Sequence, residues 1–267
     1  MSRGRPAKRA VPPRAAPKAG LGGEQVEGRH AVRELLAARR RRTREVWIAD
    51  EAGESAVLAE IADLAAAARV PVRRVPRGRL DAAARTDAPQ GVLARAEGLP
   101  EADLSDLADR TASPAPYLLV LDGVTDPHNL GALLRTAVSA GMTGGVLGRH
   151  RSAHVTPTVT KAAAGAVEYL PLALVPGIPA ALAELRRAGV WTVGLAADGD
   201  RAIDELGELG DQPLAIVLGS EGRGLSRLAR ERCDVVARIP LRGPIESLNV
   251  AAAGAVAAFT FAHGRGL

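Results

Sequence analysis

Five short apolar runs, YLLVLD, GGVL, VEYLPL, VWTVGLA and LAIVLG, recur between residues 117 and 219, and the stretches between them include GALLRTAVSAG and IPAALAELRRAG, which carry helical periodicity. A strand that is apolar on both sides has no face to turn to water, so it must be covered above and below. Helical crossovers supply that cover and also let successive strands run parallel. The alternation predicts an α/β fold built on a parallel sheet over residues 116–267.

A second α/β rhythm precedes it in residues 23–97. HAVRELLAARRRR places Ala31, Leu35 and Leu36 at helical spacing, and EVWIAD reads as a strand. SAVLAEIADLAAAAR then sets Val57, Leu58, Ile61 and Leu64 on one side of a helix, and VPVRRV, RGRLDAAAR and GVLARAE follow as strand, helix and strand. Residues 98–115, acidic and then rich in small residues and proline, read as a linker with a helical turn or two. Residues 1–22 are basic and lack periodicity, and are expected to form a disordered tail. With 47% hydrophobic residues in 267, both folded halves can hold a core.

Charge is unevenly divided. Residues 1–97 carry 20 Lys+Arg against 12 Asp+Glu, whereas residues 98–267 carry 15 against 18. A front half of that kind is suited to a polyanion, where phosphate contacts release counterions and give affinity without sequence specificity. Cys233 is the only cysteine, which excludes an intramolecular disulfide and a cysteine-built zinc site; it reads as a small buried hydrophobe, and no metal is expected. No run reaches about 18 uninterrupted apolar residues and the N-terminus lacks a signal-peptide core, so the expectation is a cytoplasmic protein with no membrane partner.

Three segments carry the chemistry. In LDGVTDPHNLGALLRTA, residues 121–137, a strand ends at Asp122 and a helix begins near Asn129, with Arg135 almost two turns in. Asn129 reads equally well as an N-cap. Arg135 stands beside Leu133, Leu134 and Ala137, and a guanidinium against a core face needs an anionic partner, for which a phosphate or carboxylate suits its forked donors. In LAIVLGSEGRGLSRLARERCD, residues 214–234, a buried strand runs into Gly219, Glu221, Gly222 and Gly224. Glycines there let backbone approach a ligand closely, although a plain strand-to-helix turn fits as well, and the spacing matches neither a Walker loop nor the dinucleotide fingerprint.

The third segment is ARIPLRGPIESLNVAAAGAVAAFTFA, residues 237–262. Strand RIPL is expected to lead through Gly243 and Pro244 to Ser247, which starts a helix with Asn249 inside it. An unpaired amide in such a place costs about 1–3 kcal/mol. The helix from Val250 to Ala262 is polar only at Thr260, so it must be buried, in its own domain or against a partner subunit.

In order and spacing, N-x-G-x-x-x-R, L-G-S-E-G-x-G-L and I-P-L-x-G-x-x-x-S-L-N-V resemble the three motifs of the SpoU/TrmH-branch SPOUT RNA 2'-O-ribose methyltransferases. GRHAVRELL and PQGVLARAE resemble the two ends of the ribosomal-protein-like α/β RNA-binding domain found in the bacterial 23S rRNA (guanosine-2'-O-)-methyltransferase group. Residues 25–267 are thus covered. Ala251, where many relatives carry serine, and the alanines of KAAAGAVE depart from the pattern without removing a group that chemistry needs. The resemblance implies a trefoil knot, a threading that is otherwise very rare. It also implies S-adenosyl-L-methionine held by Gly219, Ile239 and Leu248, with Asn129, Arg135, Glu221, Ser247 and Asn249 around the substrate ribose and phosphate. A homodimer acting on RNA, most readily a guanosine of 23S rRNA, follows from the same likeness. The alternatives are a tRNA or antibiotic-resistance rRNA ribose methyltransferase and a non-catalytic RNA-binding or ribosome-assembly protein; the joint presence of the five polar residues argues against the last.

Methyl transfer from a sulfonium requires an oxygen nucleophile that is held in line and made more anionic. An arginine stays protonated and is a poor general base, so Arg135 is read as holding a phosphate and stabilising the developing alkoxide, with the base unassigned. The only aromatic residues are Trp47, Tyr117, Tyr169, Trp191, Phe259 and Phe261, too few for base-stacking platforms. RNA recognition by shape and phosphate is expected instead, with Arg39 to Arg42 and Arg44 as its patch or, in the plainer reading, as a solvated face.

Overall fold

The computed structural model describes residues 20–53, 55–150, 154–244 and 247–265. The expected tail falls mostly outside these residues, but Leu21 is buried in the C-terminal core and Gly22 bridges to Val155, so packed structure reaches back into it.

The front unit comprises β1 (Gln25–Glu27), α1 (Arg29–Ala38), β2 (Thr43–Ala49), α2 (Ala56–Ala67), β3 (Val72–Val75), α3 (Arg77–Ala83) and β4 (Val92–Ala96). Its mixed four-stranded sheet has the order β1-β4-β2-β3. One face is buried by α1 and α2 through Leu35, Leu36, Leu58 and Ile61, positions that helical periodicity marks, and through Val32, which it does not. Leu80 of α3 covers Trp47, Val75 and Leu93 on the other face. Strand β1 is not signalled by hydropathy. It carries Glu27, which is fully buried and accepts hydrogen bonds from the Arg85 and Thr86 amides and from the Thr86 hydroxyl.

After a single helical turn, α4 (Leu104–Leu107), come β5 (Tyr117–Asp122), α5 (Pro127–Ser139), β6 (Gly144–Gly148), α6 (Pro157–Ala162), β7 (Leu172–Val175), α7 (Ile178–Arg187), β8 (Trp191–Leu195), β9 (Arg201–Ala202), β10 (Leu214–Gly219), α8 (Arg227–Arg232), β11 (Val235–Arg238) and α9 (Val250–His263). The seven strands lie in the order β7-β6-β5-β10-β8-β11-β9, and every pairing is parallel. Helices α5 and α9 cover one face and α7 and α8 the other, as the two-sided apolar strands require.

Two strands differ from expectation. VEYLPL is a 3₁₀ turn at Ala166–Glu168 followed by β7, because Glu168 has a buried ionic partner that a mid-strand position would not give it. RIPL is not a strand beyond Arg238, since β11 ends there and Ile239 continues irregularly against the core.

The two units are fastened by the Arg39–Arg42 turn. Arg41 donates through Nη2 and Nε to the two carboxylate oxygens of Glu168 at 2.6 and 3.0 Å, with side-chain exposures of 3% and 1%. Arg40 donates to the carbonyl oxygens of Leu170 at 2.9 Å and Val167 at 3.4 Å. These two arginines therefore do not belong to the surface patch expected from the sequence. Tyr169 reinforces the junction by donating to Glu34 at 2.6 Å.

Candidate active site

Polar groups gather where β5 and β10 end side by side, with Asp122 opposite Gly219. Helix α5 starts here because Asp126 accepts the Asn129 amide at 2.8 Å and Pro127 occupies the first turn, where no amide hydrogen is needed. Asn129 is therefore inside the first turn and is not the cap, which leaves its side chain free for other work.

After β10 the chain closes a small loop, in which Ser220 and Gly224 exchange backbone hydrogen bonds of 3.0 and 2.8 Å. A Cβ on Gly219 would overlap the backbone of Gly224 and Leu225, so this glycine is fixed by the close return of its own loop. Asp122 accepts the Ser226 amide at 2.7 Å and ties that loop to the neighbouring strand. Sequence reading missed Asp122, although a carboxylate closing the apolar run Leu118–Leu121 was the available signal.

Glu221 of this loop meets both asparagines. Its Oε1 accepts from Asn129 Nδ2 and, at 3.4 Å, from Asn249 Nδ2, which also donates to Asn129 Oδ1 at 3.1 Å. Asn249 is not inside the helix, as expected, but is its N-cap: Oδ1 accepts the amides of Ala251 at 2.8 Å and Ala252 at 3.4 Å. Its carboxamide thus caps α9 with one end and joins three segments with the other. Ser247 does not start the helix, and it is exposed without a partner among the described residues.

Arg135 is not drawn into this cluster. It is exposed, without a hydrogen bond or ion pair among the described residues, and lies about 120° around α5 and about 9 Å along it from Asn129. Water satisfies the guanidinium, so burial does not demand the anionic partner that the sequence argument required. Ile239 packs half-buried against the core, while Leu248 is 41% exposed beside the cap.

A glycine-built loop and a carboxamide–carboxylate cluster at the C-terminal edge of a parallel α/β sheet stand where open α/β enzymes bind their ligands. The SpoU rRNA Methylase family model matches residues 116–259, and the model for RNA 2'-O ribose methyltransferase substrate binding matches residues 25–102. The chain is 40% identical over 239 residues to the 23S rRNA (guanosine-2'-O-)-methyltransferase RlmB of Pseudomonas putida, covering 88% of this chain and 94% of that protein. Likewise, it is 40% identical over 247 residues to RlmB of Yersinia pestis, covering 91% and 98%. Among solved structures, an RNA 2'-O ribose methyltransferase superposes with a TM-score of 0.74 at 25% identity, covering 91% of this chain and 89% of that one. The SpoU methyltransferase AviRb of Streptomyces viridochromogenes, in complex with AdoMet, has the same fold, with a TM-score of 0.74 at 23% identity and 90% of each chain covered. The chain belongs to the SpoU rRNA methylase family. It is an S-adenosylmethionine-dependent RNA 2'-O-methyltransferase.

The residues present fit that cofactor. Positions Gly222, Gly224 and Gly243 have no atom within 4 Å of where a Cβ would stand, so the loops offer bare backbone to a ligand. No described helix is long and apolar enough to cross a membrane.

Proposed function

We propose that the chain methylates the ribose 2'-hydroxyl of a guanosine in 23S rRNA, working as a cytoplasmic homodimer. The observation that carries the reading is the convergence of Asn129, Glu221 and Asn249, from three distant segments, beside the Gly219 loop. Relatives named for that reaction, alike over both units, support the choice of substrate.

In this reading S-adenosylmethionine would be held by backbone at Gly219 and by Ile239 and Leu248, and its sulfonium would supply the methyl group, the sulfur departing as a neutral thioether. Asn129, Glu221, Ser247 and Asn249 orient the ribose, since carboxamides and a carboxylate can donate to and accept from a hydroxyl together. Arg135, exposed and uncommitted, takes the phosphate beside the target nucleotide and steadies the oxyanion while staying protonated. Arg135→Ala should abolish turnover and leave cofactor affinity by calorimetry unchanged; equal loss of cofactor binding would remove that role.

The homodimer reading rests on α9. Gly254, Ala257, Ala258 and Phe261 are buried, but Val256 and Phe259 remain 41% and 50% exposed on a helix that is apolar all round. A second copy is the cover such a face fits. Light scattering should give a dimer for the wild type and a monomer for Phe259→Glu. For the reaction itself, 23S rRNA and bulk tRNA incubated with labelled S-adenosylmethionine should divide cleanly, with label only in the rRNA. Label confined to tRNA would overturn the substrate assignment.

A further inference from the structure

The Arg39–Arg42 turn has a second side. While Arg40 and Arg41 donate into the junction, Arg39 and Arg42 line, beside part of Arg41, a cavity of about 440 Å³ on the front unit that Arg69, Leu35, Leu36 and Val70 also line. No carboxylate lines it, and the guanidinium groups of Arg39, Arg42 and Arg69 have no hydrogen-bond or ion-pair partner among the described residues.

The backbone at two of these arginines makes the arrangement more than a chance cluster. Arg39 ends α1 at φ 50° and Arg69 follows the α2 cap at φ 55°, both in the left-handed region. At Arg69 the chain forms a Schellman closure, with the Arg69 amide donating to Ala66 and the Val70 amide to Ala65. Glycine is the ordinary residue at such positions because a Cβ is strained there. Two helix ends thus accept strain to aim two cations into one cavity, in spite of helix carbonyl ends that themselves repel an anion.

We infer that this cavity is a phosphate-backbone anchor for the RNA substrate, distant from the reacting ribose. The inference rests on the RNA methyltransferase reading above. Arg40 and Arg41 grip residues 167–170, just ahead of β7 at the N-terminal edge of the parallel sheet, whereas the Asn129–Glu221–Asn249 cluster sits at the C-terminal edge. The length of β5 alone separates the two edges by about 20 Å. A substrate held at both places must span at least that distance, so the anchor favours an RNA of several nucleotides over a mononucleotide or dinucleotide. Because the turn that lines the cavity with Arg39 and Arg42 also binds Glu168 through Arg41, a strand held at the cavity is tied to the methyltransferase unit.

The test uses the full chain, a 23S rRNA transcript as probe, and filter binding over a range of KCl concentrations. Arg39→Gly/Arg69→Gly should weaken rRNA affinity on the order of tenfold at physiological salt and flatten the slope of log K against log salt by about 1.5. The same variant should raise Tm, because glycine relieves both left-handed positions, and should keep wild-type S-adenosylmethionine affinity. Arg74→Gln/Arg232→Gln, with the same net charge, should bind nearly as the wild type does. Equal weakening in both doubles would reduce the cavity to bulk charge, and unaltered rRNA binding in the glycine double would overturn the anchor. If the wild type itself fails to bind 23S rRNA, the substrate reading falls and the anchor with it.

Discussion

Arg41 and Glu168 stand 127 residues apart in sequence and form a two-pronged ion pair that is almost wholly buried. Arg41 also donates to the carbonyl oxygens of Gly23 and Glu97, so one guanidinium closes the seam between the two sheets and satisfies backbone beside β1 and β4 of the front unit. Its burial makes the pair decisive for how the units are held. Removing one partner leaves the other charged and dry, which is far costlier than the net gain from the pair.

Glu168→Ala should therefore destabilise the chain by about 3–5 kcal/mol. Replacing both residues, as Arg41→Met/Glu168→Leu, should recover most of that loss. Urea denaturation of Arg41→Met, Glu168→Leu and their double gives the cycle, and additive losses would show that the residues act independently.

Asn249 has two separable tasks. Asn249→Ser keeps an N-cap oxygen for α9, so urea stability should stay within about 1 kcal/mol of wild type. It removes the amide donor to Asn129 and Glu221, so turnover should fall by at least tenfold. Asn249→Ala should lose both. Full activity in the serine variant would confine Asn249 to helix capping.

At Gly219 and Gly222 the same substitution has different costs. A methyl group at Gly219 would collide with the backbone of Gly224, whereas at Gly222 it would meet open space and only the strain of φ +75°. Gly219→Ala should abolish S-adenosylmethionine binding by calorimetry. Gly222→Ala should cost about 1 kcal/mol of stability, the penalty of a left-handed non-glycine residue. Binding that survives in Gly219→Ala would show that the loop can open without loss.

Burial, with Asp234 and Asp122 nearby, pushes the Cys233 thiol up to about 12. The thiolate is the reactive form, so at pH 8 Cys233 should react with a thiol reagent far more slowly in the native chain than in urea. A native rate equal to the unfolded rate would contradict this.

Much of the architecture is legible in the sequence. Two-sided apolar runs such as LAIVLG determine strands that must be covered above and below, and β10 lies at the centre of the seven-stranded sheet for that reason. The spacing of Leu35, Leu58 and Ile61 sets the inward faces of α1 and α2. Gly219 and the polar residues of three motifs are legible too, as chemical types in a recognisable order. What they do to one another is not.

Side-chain partnership across long separations belongs to the tertiary structure. Nothing local distinguishes Arg41 from Arg42, yet the Arg41 guanidinium is buried against Glu168 while Arg42 is exposed at the cavity, because the turn sends these two side chains in different directions. Asn129 falls inside the first turn of its helix because Asp126, three residues earlier, takes the cap, whereas Asn249 reaches its cap position through the path out of β11. Arg135 shows the converse, since apolar neighbours in sequence imply a buried guanidinium and the helix rotation turns it to solvent. Sequence by itself determined the sheet, its helical cover and the residue types of the three motifs, because hydrophobic period and backbone sterics act over a few residues. Which of those residues meet, and which arginines fasten the units and which remain exposed, was decided only by the fold, because charge pairing and amide bridging depend on distances that chain neighbours do not set.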